Sequence, residues 1–348
     1  MEKGRFFIND MMKFGLVGNG NIAKVHAQCI AQIEGAQLMG VVCSDPQRIE
    51  EVEKQFNSPV FPSLTELLSS TAVDAISVCN ESGKHGKAIR EASSAKKHVL
   101  CEKPLEITVD KIDAVLDCVA QNDTVLAVAF QNRIHPEYRK LKKALRDGII
   151  GKPLLICAQI HWYRDEKYYQ SNSWRGTLKG DGGAALINQG IHTLDLVLDL
   201  LGDVEFVTGT VATQVHQIEG EDTAVAQFRF KNGVLGTLSG GTCLYPGFSE
   251  KIELYGEKGR LIYEAGKISD APNKNLITTT ALKENESSAT AILEDNTLHR
   301  NIYDDFISAI QQKKAPLVCG QSARKSVALI NAIYKSSSTN KTILCDTI

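Results

Sequence analysis

The sequence lacks any apolar run approaching the roughly 18 uninterrupted residues that a membrane-spanning helix needs. It also lacks a surplus of either charge. Its 39 Lys and Arg face 41 Asp and Glu, a formal net charge of −2, so there is no global pull toward nucleic acid or an anionic membrane surface. Nine cysteines are present, yet no two form a Cys-x-x-Cys pair and no histidines cluster at zinc-ligand spacing, so no metal site is expected. Several cysteines fall inside apolar runs, as in Val41-Val42-Cys43 and Val78-Cys79, where cysteine acts as a small hydrophobe. Free thiols in a reducing, cytoplasmic setting are therefore expected. Met1 to Met12 carry charges and lack an apolar core with a cleavage pattern, so they read as a frayed lead-in rather than a signal peptide. Met11 and Met12 are alternative starts. No internal repeat is found.

What is present is a chain of 348 residues, 43% hydrophobic and 23% charged, an ordinary globular composition long enough for two domains. The first part alternates strand and helix. Lys13-Phe14-Gly15-Leu16-Val17 is a short apolar run stopped by Gly18-Asn19-Gly20, and a helix follows with Ile22, Val25, His26, Cys29, Ile30 and Ile33 on one face. Strands are expected at 37–43, 60–61, 75–79, 98–101 and 125–129, with helices at 47–56, 64–69, 86–95 and 109–121 between them. Such alternation predicts a doubly wound parallel sheet, an α/β Rossmann domain at 12–132.

The second part, 133–348, predicts an α+β domain with a large, mostly antiparallel open sheet. Strands are read at 154–163, 204–216, 223–230, 233–240 and 251–256, after one helix at 191–201. Lys231-Asn232-Gly233 supplies a hairpin turn. The polar segment 271–288 is expected to be a surface loop, and helices near 297–311 and 322–336 close the chain.

Doubly wound sheets bind ligands at the carboxyl ends of their strands, and the chemistry-bearing residues fall there. Gly18-x-Gly20-x-x-Ala23 lies between strand and helix, the context that gives this pattern meaning. Gly18 permits the tight turn, Gly20 the close approach of backbone to a pyrophosphate, and the helix start at Asn21 and Ile22 offers N–H groups to the anion. At the end of the second strand, Asp45 stands about 20 residues on, where a carboxylate bonds the ribose of NAD. Ser44 and Arg48 leave NADP as the alternative, and Asp45 also suits the cap of the next helix. Lys103, in Glu102-Lys103-Pro104, follows a strand ending at Cys101, and a buried lysine there can share in acid–base work. His192 closes the segment Gly182-Gly183-Ala184-Ala185-Leu186-Ile187-Asn188-Gln189-Gly190-Ile191-His192.

Taken together, the phosphate loop, the Glu-Lys-Pro motif and the Gly-Gly…His…Asp segment resemble the Gfo/Idh/MocA family of sugar oxidoreductases over nearly the whole chain. The resemblance implies an NAD(P)-dependent dehydrogenase with Lys103 beside nicotinamide and substrate and His192 as proton acceptor. It adds Asn80, His85, Glu102 and Gln131 to the cofactor's surroundings, and His299 and Tyr303 to the substrate pocket. Many members carry aspartate where this chain has Asn188, so a carboxylate beside the base is missing at that position.

A narrower resemblance is to the branch that oxidises UDP-N-acetylglucosaminuronate at the sugar C3. It is carried by Trp162-Tyr163-Arg164, Tyr168-Tyr169, Trp174-Arg175-Gly176-Thr177, Asp181-Gly182-Gly183 and Asn188-Gln189, with Gln131-Asn132-Arg133, Glu221-Asp222-Thr223, Tyr245-Pro246 and Gly256-Glu257-Lys258-Gly259. It implies substrate contacts from Arg133, Arg164, Tyr169, Trp174, Arg175, Asn188 and Gln189, arginines serving an anion and aromatic rings a sugar or base. A free sugar or inositol as substrate, net reduction of a ketosugar, and a dinucleotide-sensing regulator without turnover are the other readings. The family commonly packs the face of its second sheet into dimers or tetramers, so a homodimer or homotetramer is expected. His26 is read as helix packing, and His135, His161 and His216 carry no signal.

Overall fold

The computed structural model describes residues 11–269 and 295–345. The expected fraying of residues 1–10 and the expected loop at 271–288 lie outside the described residues.

The first sheet is built as the alternation predicts. In chain order come β1 (Met12–Val17), α1 (Asn21–Gln32), β2 (Ala36–Val42), a 3₁₀ turn (Pro46–Arg48), α2 (Ile49–Phe56), β3 (Val60–Phe61), α3 (Leu64–Ser70), β4 (Ala75–Val78), α4 (His85–Ser94), β5 (His98–Cys101), α5 (Val109–Asn122) and β6 (Leu126–Val128). The strands pair in the order β3-β2-β1-β4-β5-β6, every pair parallel. Their near-continuous apolar sequences fit burial on both faces, and all four residues of β4 are buried. The chain reverses its winding between β1 and β4, which opens a crevice at their carboxyl ends.

The second sheet has eight strands in the order β13-β12-β11-β7-β10-β9-β8-β14. After α6 (Pro136–Arg146), β7 (Pro153–His161), α7 (Glu166–Gln170) and α8 (Ile191–Leu201) come β8 (Val204–Ala212), β9 (Thr223–Phe230), β10 (Leu235–Gly241), β11 (Lys251–Gly256), β12 (Gly259–Glu264) and β13 (Lys267–Ser269). Then follow α9 (Thr297–Gln311), α10 (Gly320–Thr339) and β14 (Ile343–Leu344). β7 and β10 run parallel and the other pairs antiparallel. Strict alternation of buried and exposed residues in β9 marks one packed and one open face. α10 covers the packed face so closely that a Cβ on Gly209 would lie 2.9 Å from Ile333 Cγ2.

Several boundaries differ from the sequence reading. β8 ends at Ala212 because the amides of Gln214, Val215 and His216 bond the Asp222 carboxylate at 2.8–3.0 Å instead of a neighbouring strand. α6, α7, β12, β13 and β14 lie outside the strands and helices read from the sequence. The late helices also return to the first sheet. Tyr303 of α9 meets Phe14 of β1 edge-on at 5.4 Å, and Cys319 bridges to Ala127 of β6. The strands divide near residue 132, but the core does not.

Candidate active site

A cleft of about 1520 Å³ runs from the crevice above the first sheet to the edge of the second. This exceeds the roughly 300–1,000 Å³ of a pocket for one small ligand and has room for two. At one end lies the phosphate loop. Gly18 has φ +110°, and a Cβ there would lie 2.7 Å from the Cys79 carbonyl oxygen, so only glycine fits. A Cβ on Gly20 would meet nothing within 4 Å, leaving space directly before α1, whose first turn holds no acidic residue. An anion is favoured at such a helix start.

Asn21, Ile22, Ser44 and Asp45 line this end. One Asp45 carboxylate oxygen accepts the Gln47 amide at 3.0 Å, so the capping alternative is realised. Arg48 reaches back to Asn19 Oδ1 at 3.2 Å. Further along, the His85 ring sits between the carbonyl of Pro104 at 2.7 Å and that of Asn80 at 3.0 Å. It thereby ties the loop after β4 to the loop after β5. The side-chain oxygens of Asn80 and Gln131 are buried with no hydrogen-bond partner. Such orphaned acceptors fit a donor on a bound ligand, and the glycine cradle and these acceptors together suit a dinucleotide.

The middle of the cleft holds Lys103 and His192. Lys103 donates to the backbone carbonyl of Asn188 at 2.7 Å. Burial lowers its pKa against the raising pull of Glu102 and Asp181. His192 enters from a wide π-helical turn, Ala185–Gly190, that leads into α8; such turns gather at functional sites. The turn is fixed by Glu221, whose carboxylate accepts the amides of Ala184 at 3.1 Å and Leu186 at 2.7 Å and the Tyr334 hydroxyl at 2.9 Å. Burial, reinforced by the Lys103 charge, pushes the His192 pKa down to about 3. Its Nδ1 is buried and has no hydrogen-bond partner. A neutral imidazole with an unpartnered ring nitrogen is ready to receive a hydroxyl proton.

The carboxylate missing at position 188 is one bond away. Asn188 Nδ2 donates to Asp181 Oδ1 at 2.7 Å, while Asp181 Oδ2 accepts the Gly176 amide at 3.0 Å. Asp181 opens the Asp181-Gly182-Gly183 motif, but only the fold places it behind Asn188.

The far end is a basic, aromatic cage. The Arg175 guanidinium lies 4.4 Å from the Tyr168 ring centroid and 5.0 Å from that of Trp174. Arg164 lies 5.0 Å from Trp162 and 5.2 Å from Tyr168. Arg175 and Gln189 both donate to the Tyr168 hydroxyl, at 2.6 and 2.7 Å. Glu250 lines the same end, a residue for which the sequence offered no signal.

Three predicted substrate residues point elsewhere. Arg133 forms a two-pronged bond with Asp195, Nε and Nη2 each 2.6 Å from a carboxylate oxygen, because its buried charge needs a buried partner. The Tyr169 hydroxyl pairs with Thr242 at 2.6 Å, and its neighbour Tyr168 faces the cleft instead. Tyr303 is fully buried, its hydroxyl 2.9 Å from His26 Nδ1 and 2.6 Å from Ser77. His26, read as packing, is thus drawn toward the site. Its Nε2 lies 3.0 Å from Glu102 Oε1, with His299 Nε2 at 3.5 Å from the same oxygen. These three offer metal-type donor atoms within 4.8 Å of one another, and hydrogen bonds already engage His26 and Glu102.

Comparison with known proteins agrees with the fold and with an NAD-binding domain. Residues 12–130 match the model of the oxidoreductase family's NAD-binding Rossmann fold, and residues 138–262 match the GFO/IDH/MocA C-terminal domain. A WlbA dehydrogenase from Bordetella pertussis, solved in complex with NADH and UDP-GlcNAcA, superposes with a TM-score of 0.87 at 28% identity, covering 97% of this chain and 98% of that one. Myo-inositol 2-dehydrogenase from Thermotoga maritima is 26% identical over 347 residues, 95% of this chain and 98% of that protein. Glucose-6-phosphate 3-dehydrogenase from Bacillus subtilis is 26% identical over 270 residues, 74% of this chain and 75% of that protein. With an NAD-binding Rossmann domain and the matching second domain on one chain, the protein belongs to the Gfo/Idh/MocA family of NAD-dependent sugar and inositol dehydrogenases.

Proposed function

We propose that this dehydrogenase oxidises a secondary hydroxyl of an acidic nucleotide sugar resembling UDP-N-acetylglucosaminuronate, at C3 of the sugar, with Lys103 and His192 as its catalytic pair. The observation carrying this reading is the placement of Arg164 and Arg175, amid Trp162, Tyr168 and Trp174, in the same cleft as Lys103 and His192. A neutral polyol has no need of two guanidinium groups, whereas a uronate or diphosphate matches them. Likeness to a dehydrogenase solved with UDP-GlcNAcA supports the same choice.

In this reading His192 takes the hydroxyl proton and Lys103, as the ammonium, stabilises the alkoxide as it forms. Asn188 orients the sugar through its amide, itself held by Asp181. The bound nicotinamide cofactor accepts the hydride, and Gly18, Gly20, Ser44, Asp45, Asn80, Glu102 and Gln131 hold it. The nine free thiols fit a reducing cytoplasm. No helix among the described residues is long and apolar enough to cross a membrane. The open face of the second sheet exposes Val225 and Leu235 and serves a homo-oligomer contact.

The test begins with mass spectrometry of ligand carried through purification, followed by NADH formation measured on UDP-N-acetylglucosaminuronate. Turnover that depends on Lys103 and His192 supports the proposal. A second reading, an inositol dehydrogenase, is favoured by the T. maritima relative, and preferred turnover of myo-inositol would establish it instead.

A further inference from the structure

Among the described carboxylates that line the cleft, Glu102 is the one that is buried. It follows β5, lines the cleft beside Lys103, and is only 7% exposed. A buried carboxylate needs donors to stay charged, and this one has three. His26 Nε2 approaches Oε1 at 3.0 Å, His299 Nε2 lies 3.5 Å from the same oxygen, and the Lys103 amide donates to Oε2 at 3.2 Å. The Lys103 ammonium is turned away, toward the Asn188 carbonyl.

The hydrogen bonds behind His26 fix the direction of that donation. Burial lowers the pKa of His26, which favours a ring carrying one proton. Its Nδ1 faces the Tyr303 hydroxyl at 2.9 Å, and that hydroxyl faces Ser77 Oγ at 2.6 Å. Every contact is satisfied when Ser77 donates to Tyr303, Tyr303 to His26 Nδ1, and His26 Nε2–H to Glu102. The chain draws on β4, α1 and α9, so three separate elements converge on one carboxylate. Burial raises the Glu102 pKa, yet the hydrogen bonds and charge interactions with His26 and His299 outweigh it and hold the carboxyl well below its ordinary range.

We infer that Glu102 is a fixed buried anion that favours the oxidised, positively charged nicotinamide over the reduced, neutral one, with His26, His299, Tyr303 and Ser77 as its positioning residues. This rests on the cofactor reading of the cleft. In a doubly wound fold the reactive end of a dinucleotide lies beyond the strand ends past the switch point, which is where β5 delivers Glu102. Opposite charges within a few Å in a protein interior attract by an amount worth tenfold or more in affinity. That attraction ends when hydride arrival neutralises the ring.

The test measures dissociation constants for NAD⁺ and NADH, by calorimetry and NADH fluorescence, in wild type, Glu102→Gln and Glu102→Asp. Glu102→Gln keeps the shape but not the charge, and it is expected to weaken NAD⁺ about tenfold more than NADH. Glu102→Asp keeps the charge and is expected to weaken both forms alike. Equal weakening of both forms by Glu102→Gln would overturn the inference. If that variant does not fold, proton uptake by wild type decides. A fixed anion takes up no proton when NADH replaces NAD⁺, whereas uptake of one proton would show the carboxylate being neutralised and contradict the proposal. Wild-type protein that binds neither form would instead overturn the cofactor reading itself.

Discussion

The two ends of the cleft are made of different materials. The end proposed for the cofactor is framed by backbone: a glycine turn at φ +110°, an open helix start, and carbonyls of residues 80 and 104 spanned by His85, with the side chains of Asn80 and Gln131 set into that frame. The end proposed for the substrate is almost wholly side chain, with two guanidinium groups stacked on three aromatic rings and a tyrosine hydroxyl that receives both Arg175 and Gln189. Backbone recognition suits a ligand shared by a whole family, since it tolerates change in the residues around it. Side-chain recognition suits a ligand that differs between relatives. Lys103 and His192 stand at the seam.

Removing the seam residues has the largest expected effect. Lys103→Ala or His192→Ala should lower kcat by about 10²–10⁴-fold while NADH binding, followed by fluorescence, is retained. Loss of cofactor binding together with turnover would blur the division between the two ends.

Arg133 provides the next contrast, because it belongs to neither end. Arg133→Met leaves Asp195 buried and unpaired, so unfolding titrations should show a loss of about 3–5 kcal/mol. The KM of the folded fraction should be unchanged. A large KM effect with wild-type stability would return Arg133 to the substrate.

A smaller effect separates charge from shape at the cage. Arg175→Met should lower kcat/KM for a sugar acid or diphosphate by about tenfold to a hundredfold, the scale of a lost charged hydrogen bond, with NADH affinity untouched. The smallest expected effect is on the pH profile. Burial lowers the Lys103 pKa, so its ammonium is lost at a lower pH than an ordinary lysine's. Oxidation that relies on the ammonium should therefore fall on an alkaline limb below the ordinary lysine range. Lys103→Arg should move that limb upward in rate–pH measurements, at reduced rate. His192, with its pKa near 3, should set no limb between pH 5 and 8.

Legibility in the sequence follows the same division. Gly18, Gly20, Asn80 and Lys103 each lie just past a strand, so local pattern and the switch-point rule locate them. The cage was legible only through its resemblance to a family branch, and even there the chain put Tyr168 in the cleft and Tyr169 in the core. Alternation along one segment cannot decide which of two adjacent tyrosines turns inward. His26 was hidden for another reason. It occupies the apolar stripe of α1 and becomes polar in role only when Glu102, 76 residues later, and Tyr303, 277 residues later, fold against it. Arg133 was read as a substrate contact because an arginine beside a motif looks the same whether its partner is a ligand or, as the fold places it, Asp195.

The most direct test compares kcat/KM for UDP-N-acetylglucosaminuronate, its neutral counterpart without the sugar carboxylate, and myo-inositol, in wild type and Arg175→Met. Wild type is expected to prefer the acidic nucleotide sugar, and the variant to lose most of that preference while binding NADH as before. Equal or better turnover of myo-inositol, unmoved by Arg175→Met, would contradict the proposed function.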